Sequence, residues 1–334
     1  MVTRPQRNER GVAILAVLLG ISLMTLIVVD FAMTSGLGFV SAANQANELR
    51  AGYLARSAVN IGLALLAQDA RSDQQAKNPI DSLNDVWAVP FPPMPLEGGL
   101  VTLSIVDETR KLPINSMVSP SGTLNKIAIA KVQQLFTILD VNVDLVQGII
   151  DWITPVGANT TGGGAEFYMG LTPPYQPRYG QMPTIADLQM VQGFNEAIFN
   201  RVSPFLTAMP VTWVNPNNGS APTNPKPVPP VVNANTAPPQ VLAALEPELM
   251  EDQKIVEEIV AARTLAPFAN ANDITNLLSG STGLAGRLPR DVVFQSQFFT
   301  ITGTGTYAGA RKIITATFHR ETSSVLELAA WHED

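Results

Sequence analysis

Two histidines, His319 and His332, and no cysteine make up the usual catalytic and metal-binding inventory of this 334-residue chain. Without cysteine there is no disulfide framework, thiolate zinc site, lipid-modified cysteine or thiol nucleophile. The absence leaves the compartment open, because oxidising and reducing spaces both tolerate a cysteine-free chain. His332 lies beside Trp331, Glu333 and Asp334 at the C-terminus. A histidine among acids can ligate a metal or relay a proton, but a chain end holds no rigid geometry, so a frayed, solvated terminus is expected. His319 falls in a strand-like segment with no nucleophile pattern near it. The strings Gly162–Gly164 and Gly303–Gly305 lack the Lys-Ser/Thr and the strand-to-helix setting of a phosphate loop. Lysine and arginine number 21 against 28 acids, a net charge of −7, so no global basic field attracts nucleic acid. Charged residues are 15% and hydrophobic ones 46%, which excludes a disordered acidic chain or a coiled coil. A catalytic role is not expected.

The N-terminus carries a different chemistry, that of processing and membrane insertion. Arg4-Pro5-Gln6-Arg7-Asn8-Glu9-Arg10-Gly11 precedes an uncharged run, Val12 to Val29, which Asp30 ends. As helix that run spans roughly 27 Å, close to a bilayer core. Three arginines against one glutamate hold the N-terminus in the cytoplasm and place the rest beyond the membrane. Three readings stand: an uncleaved single-span anchor, a cleaved secretory signal ending near Val40-Ser41-Ala42, and a prepilin-type leader. The third fits the layout best. There a short basic peptide ends in glycine against the apolar helix, and cleavage between Gly11 and Val12 leaves the helix in place. The apolar core is also longer than the about 7–15 residues usual in a secretory signal.

No proline occurs between Pro5 and Pro79, and the stretch is rich in Ala and Leu, so the helix should continue to about Gln68. It would then be roughly 85 Å long, with Leu54, Ala58, Ile61 and Leu65 along one buried face and Gly36 and Gly38 softening its middle. Glu97-Gly98-Gly99 signals a turn before a strand at Leu100–Asp107. Helices are expected at Asn125–Leu139, Val143–Trp152, Ile185–Val191 and Asn195–Val202. Residues 210–239 hold nine prolines and six asparagines and read as a linker. Helical patterns resume at Pro239–Leu245, Glu251–Arg263 and Asn272–Leu278. Strands close the chain at Phe298–Thr306, Lys312–His319 and Val325–Trp331, with Tyr307-Ala308-Gly309-Ala310 as a turn. The fold class is α+β: a long N-terminal helix on a small antiparallel sheet, with a large helical domain inserted before the closing strands.

This layout resembles the type IV pilin fold. Short motifs narrow the resemblance to the K-type minor pseudopilins of type II secretion systems, the general secretion pathway protein K family. They are Arg10-Gly11-Val12-Ala13, Val106-Asp107-Glu108-Thr109, Leu112-Pro113-Ile114-Asn115 and Ile150-Asp151-Trp152. Gly164-Ala165-Glu166 with Tyr168, Pro173-Pro174-Tyr175, and Ala186-Asp187-Leu188 with Val191-Gln192-Gly193 follow. Val232-Asn233-Ala234-Asn235-Thr236-Ala237-Pro238 comes next, then Ser324-Val325-Leu326 near Trp331-His332. Their order runs over nearly the whole chain. Two features depart from the pattern: the linker before Val231 looks expanded, and the loop after Asp151 is poor in acids.

The resemblance implies residues 1–11 as leader, 12–30 as the membrane-spanning part of the helix and 31–111 as the first pilin-like part. It further implies 112–290 as the inserted helical domain and 291–334 as the second pilin-like part. It implies removal of the leader by the prepilin peptidase and N-methylation at Val12. The protein would then be a single-pass inner-membrane subunit with its C-terminal domain in the periplasm. I-type and J-type minor pseudopilins and the major pseudopilin would be its partners at the tip of a periplasmic pseudopilus. The shaft-forming subunits of such filaments carry glutamate at mature position five, compensating a neighbour's N-terminal amine in the apolar core, where an unpaired charge is costly. Here that position is Ala16, and no acid occurs between Val12 and Asp30. A subunit of this kind belongs at a filament end, starting or capping it. Relatives can bind calcium in the loop corresponding to Asp151–Glu166, which needs six to eight oxygens. Between these two carboxylates this chain offers only carbonyls and the hydroxyls of Thr154, Thr160 and Thr161, so a calcium site and a metal-free loop both stand. A minor subunit of another type IV filament, for adhesion or DNA uptake, is the alternative function.

Segment Asn235–Leu278 also resembles helix-hairpin-helix modules. Those that bind nucleic acid have a glycine-rich hairpin with basic flanks, whereas here the hairpin reads Leu245-Glu246-Pro247-Glu248-Leu249 and only Lys254 and Arg263 are basic. Packing against protein is the expectation, with no nucleic acid.

Overall fold

The computed structural model describes residues 9–77, 79–157, 164–210, 231–322 and 325–334. Helix α1, Glu9–Ala76, runs without interruption through Gly36 and Gly38 and continues eight residues past the expected end. At 68 residues it is about 100 Å long. Strands β1 (Met94–Leu96) and β2 (Gly99–Asp107) follow, joined by a turn at Glu97 and Gly98. The chain then leaves the sheet for about 190 residues through ten short elements or more. These include strands β3 (Leu112–Pro113), β4 (Leu206–Thr207), β5 (Val232–Asn233) and β6 (Val292–Val293). Helices α2 (Lys126–Ile138), α3 (Leu145–Ile153), α4 (Gly164–Met169) and α5 (Glu196–Val202) form its first half. Its second half holds α6 (Pro239–Ala243), α7 (Pro247–Glu251), α8 (Gln253–Leu265), α9 (Ala271–Leu277) and α10 (Thr282–Arg287). Strands β7 (Phe298–Tyr307), β8 (Ala310–Thr322) and β9 (Val325–Glu333) end the chain.

The main sheet has the order β1-β2-β7-β8-β9 and is antiparallel throughout. Its inner face receives the second half of α1. Register places Val101 opposite Gly305 and Leu103 opposite Gly303, so two glycines lie under the helix. A methyl group on Gly303 would stand 2.5 Å from the Ala55 carbonyl oxygen, and one on Gly305 would stand 2.6 Å from the Ala55 nitrogen. The missing side chains are what let helix and sheet backbones meet. The facing residues on α1 are correspondingly small: Ala51, Ala55 and Ala58 are fully buried. This corrects the expected stripe, since Leu54 and Ala58 are buried but Ile61 and Leu65 are only half-buried. Leu66, Trp87, Phe299, Ile301, Ile314 and Phe318 complete this core, with Trp87 edge-on to Phe299 at 5.2 Å.

The insertion has its own core, running from Leu112 to Val292 and centred on residues such as Phe136, Ile149, Tyr168 and Leu249. Two expectations need correction here. Residues 211–230 lie outside the described residues, but the end of the expected linker is structured: β5 pairs in parallel with β6, and Pro239 opens α6. A proline costs nothing at the first helical position, whose N–H has no intrahelical partner. The expected hairpin loop at Leu245–Leu249 instead contains the start of α7, also opened by a proline. The C-terminus is not frayed either. His332 pairs with Thr315 in the sheet, and the Asp334 N–H donates to the Ile313 carbonyl at 2.9 Å. Its ring remains solvent-facing, 2.8 Å from Asp334.

Candidate functional site

The first half of α1 is an uncovered apolar rod. Val12, Leu15, Leu19, Met24, Phe31 and Phe39 are all at least two-thirds exposed, and no residue of the most apolar window is buried. Exposed apolar residues continue past Asp30 to Val40. That is about 43 Å of helix, more than the roughly 30 Å of a hydrocarbon core. Thr25 and Thr34 turn their hydroxyls onto the Ile21 and Asp30 carbonyls at 2.8 and 2.9 Å, which leaves few polar groups on the surface. Gly11, Val12 and Ala16 all sit on this rod, exposed, and no atom approaches the open side of Gly11. Residues 1–8 of the expected leader lie outside the described residues.

A second constellation joins the sheet to the insertion. Asp107 ends β2 and is buried. One carboxylate oxygen accepts from the Thr109 N–H at 2.7 Å, and the other from the hydroxyls of Thr236 (2.5 Å) and Ser296 (2.6 Å). Asn233 donates to the Ser296 hydroxyl at 2.7 Å and to the Asp81 carbonyl at 3.0 Å. Asn235 clasps Phe268, donating to its carbonyl and accepting from its N–H. Asn115 holds Met182 in the same two-way fashion and also donates to the Ala208 carbonyl at 2.8 Å. Asp107 in motif 106–109 and Asn233 and Thr236 in motif 232–238 therefore form the polar seam that fixes the insertion to the sheet, while Asn115 and Asn235 tie segments within the insertion. Burial pushes the Asp107 carboxyl up to about 6, against the lowering effect of its three donors.

Beside this seam, Asp81 and Arg320 form a fully buried ion pair at 2.9 Å, with Arg320 also over the Phe299 ring at 4.6 Å. The Ser296 N–H donates to Asp81 at 2.7 Å. Oxygens of Asp69, Asp81 and Asp85 lie within 4.8 Å of one another. Burial and the neighbouring carboxylates of Asp85, Asp73 and Asp81 raise Asp69 to about 7, and similar causes raise Asp73 to about 6. Sequence reasoning missed this cluster. Its only local sign is the i, i+4 pair Asp69 and Asp73, since Asp81 and Arg320 are 239 positions apart.

The residues singled out for calcium flank the loop from α3 and α4. Asp151, on α3, accepts from the Gln147 amide at 2.8 Å, and Glu166 lies exposed in the first turn of α4. The buried Thr154 hydroxyl donates into its own helix, to the Ile150 carbonyl at 2.6 Å. Thr160, Thr161, Gly162 and Gly163 lie outside the described residues, as does Ser324. What the structure does bring together is aromatic. Trp152 meets Tyr168 at 5.2 Å and Tyr175 at 6.1 Å, which ties the two sides of the loop. Arg263, the basic residue of the helix-hairpin-helix-like segment, is buried and donates to the Ala234 carbonyl at 2.6 Å, so it presents nothing to a phosphate.

Two family models, both described as type II secretion system (T2SS) protein K, match residues 110–211 and 232–291. A curated relative from Pseudomonas aeruginosa, "Type II secretion system protein K", is 25% identical over 323 residues, covering 94% of this chain and 90% of its own length. A protein of the same description from Aeromonas hydrophila is 28% identical over 218 residues, 61% of this chain and 65% of that protein. In fold, the chain is similar to one in the crystal structure of the GspK-GspI-GspJ complex of the enterotoxigenic Escherichia coli type 2 secretion system. The TM-score is 0.67 at 15% identity, over 88% of this chain and 99% of that one. The matched models fall on the insertion, and the P. aeruginosa relative extends the likeness over nearly the whole chain. The chain belongs to the type II secretion system protein K family.

Proposed function

We propose that this chain is the K-type minor pseudopilin of a type II secretion system. It assembles with I-type and J-type minor pseudopilins at the tip of the pseudopilus, starts or caps the filament, and so supports protein export across the outer membrane. The observation that carries this reading is the combination of an uncovered apolar rod with a sheet-based head bearing an insertion of about 180 residues. The rod offers lipid and sister helices an apolar surface. The insertion adds bulk that stacked shaft subunits would have to accommodate. The role is one of assembly and position, with no reaction assigned to any side chain.

In this reading the prepilin peptidase cuts between Gly11 and Val12 and Val12 becomes N-methylated. Residues 12–30 cross the inner membrane and the head lies in the periplasm. Ala16 offers a neighbour's amine no carboxylate, which suits the end of a filament. Calcium at Asp151 and Glu166 would neutralise the two acids and order the loop between them. Calorimetry with calcium on the intact protein should give a binding isotherm that Glu166→Ala abolishes, and a flat isotherm for both proteins removes the ion from the account. The whole reading is tested by co-expression with the I-type and J-type proteins of the same operon. A stable ternary complex is expected, and its absence, with capture by another filament's subunits instead, would contradict it.

A further inference from the structure

Four carboxylates crowd a single guanidinium where α1 ends against the head. Asp69 and Asp73 come from the last turns of α1, Asp81 and Asp85 from the segment that follows, and Arg320 from β8. Asp107, at the end of β2, faces Asp81 across the seam. These are the charged groups around Asp69 and Asp73, and Arg320 is the one base among them. One of its nitrogens bonds both oxygens of Asp81, while its Nε and Nη2 are buried without a hydrogen-bond partner among the described residues. Asp85 is committed, accepting from the Ser82 N–H at 2.7 Å and the Ser82 hydroxyl at 3.0 Å. By contrast, one buried oxygen each of Asp69 and Asp73 accepts no hydrogen bond among the described residues. Fully ionised, Asp69, Asp81 and Asp85 would hold three like charges within 4.8 Å of one another beside one counter-charge. Burial and nearby like charges resolve such a conflict by raising the proton affinity of one carboxylate.

We propose that this cluster is a proton-operated latch: with a proton on Asp69 the end of α1 is clamped to the 79–85 segment and β8, and loss of that proton loosens the clamp. The sign follows from linkage. A carboxyl whose folded-state affinity for protons exceeds its unfolded one stabilises the closed state at acid pH, and the contribution is lost as pH rises through its folded value, about 7 for Asp69. This is the reverse of an ordinary salt-bridged aspartate. The latch sits where the rod enters the head, so it couples ambient acidity to how rigidly the two are joined.

The test is hydrogen exchange on the full-length chain in detergent or nanodiscs, read as protection factors corrected for intrinsic pH effects. Peptides covering residues 66–90 should lose protection about tenfold between roughly pH 5.5 and about pH 8, one pKa unit being a factor of ten and screening of a partly exposed group limiting the effect. Asp69→Asn, which keeps a neutral group of the same shape, should hold the acid level of protection across that range. Asp73→Asn should reduce the pH dependence by less and serves as the second variant. A wild-type chain without the pH dependence overturns the proposal, as does an Asp69→Asn chain that retains it in full. Recovery of protection at the higher pH by magnesium or calcium alone, lost in Asp69→Asn, would make the cluster a cation site and equally overturn it.

Discussion

An alanine at Gly305 would put a methyl group against the Ala51 carbonyl and 2.6 Å from the Ala55 nitrogen, both backbone atoms that cannot rotate away. Gly305→Ala should therefore destabilise the head by about 2–3 kcal/mol in chemical denaturation. Gly286→Ala, where a new methyl meets open space within α10, should be neutral or slightly stabilising. Equal effects at the two positions would refute the close-approach account. Arg320 poses the opposite problem, a buried charge whose removal strands another. Arg320→Met should cost about 3–5 kcal/mol because buried Asp81 loses its counter-charge and must either stay unpaired or take up a proton. Adding Asp81→Leu should return part of that loss, and strict additivity would show that the two charges are not energetically coupled. Asp107 adds a pH term of its own. Its raised folded value of about 6 means that its contribution is full below the unfolded value and is lost as pH rises through 6, so the melting midpoint of the head should fall between about pH 4 and about pH 6.5.

Helix α1 has two tasks, and its sequence shows one better than the other. The apolar run and the absence of proline announce the rod, and alternation with glycine-bearing turns announces β2, β7, β8 and β9. The face that α1 presents to the sheet was harder to read. Its closest contacts are alanines against glycines, which carry no periodic hydrophobic signal, so the larger Ile61 and Leu65 drew attention instead. β1 was illegible because Pro95 argues against a strand; it is tolerated at a sheet edge, where one N–H faces outward. The Asp81–Arg320 pair was illegible for a different reason, because its partners meet only when β8 lies beside the segment after α1. The motif residues Asp107, Asn115, Asn233 and Asn235 were visible as a resemblance, but the hydrogen bonds they make across the seam and within the insertion emerge only from the fold. At this scale Ala16 makes the sharpest prediction. In the proposed function, Ala16→Glu would supply the carboxylate expected of shaft subunits, while the insertion would still obstruct stacking. The variant should remain at one fibre end in immunogold images, with secretion unchanged or reduced. Even labelling along the shaft with full secretion would contradict the end-position reading.

The whole molecule is two cores on one rod. The sheet core belongs to the half that holds α1, and the insertion core lies beyond the seam made by Asp107, Asn233 and Ser296. The family-model matches fall on the insertion, and in the proposed function the rod and sheet are the parts that assemble with other subunits. That division makes sense physically if the rod is retained after processing, since an uncovered apolar helix of this length is untenable in water and needs lipid or sister helices around it. Intact-mass and N-terminal peptide spectrometry of the protein extracted from membranes tests this most directly. The account predicts a mature chain that begins at a methylated Val12 and keeps the rod. A chain that begins near Ala43 and partitions into the soluble fraction would contradict it.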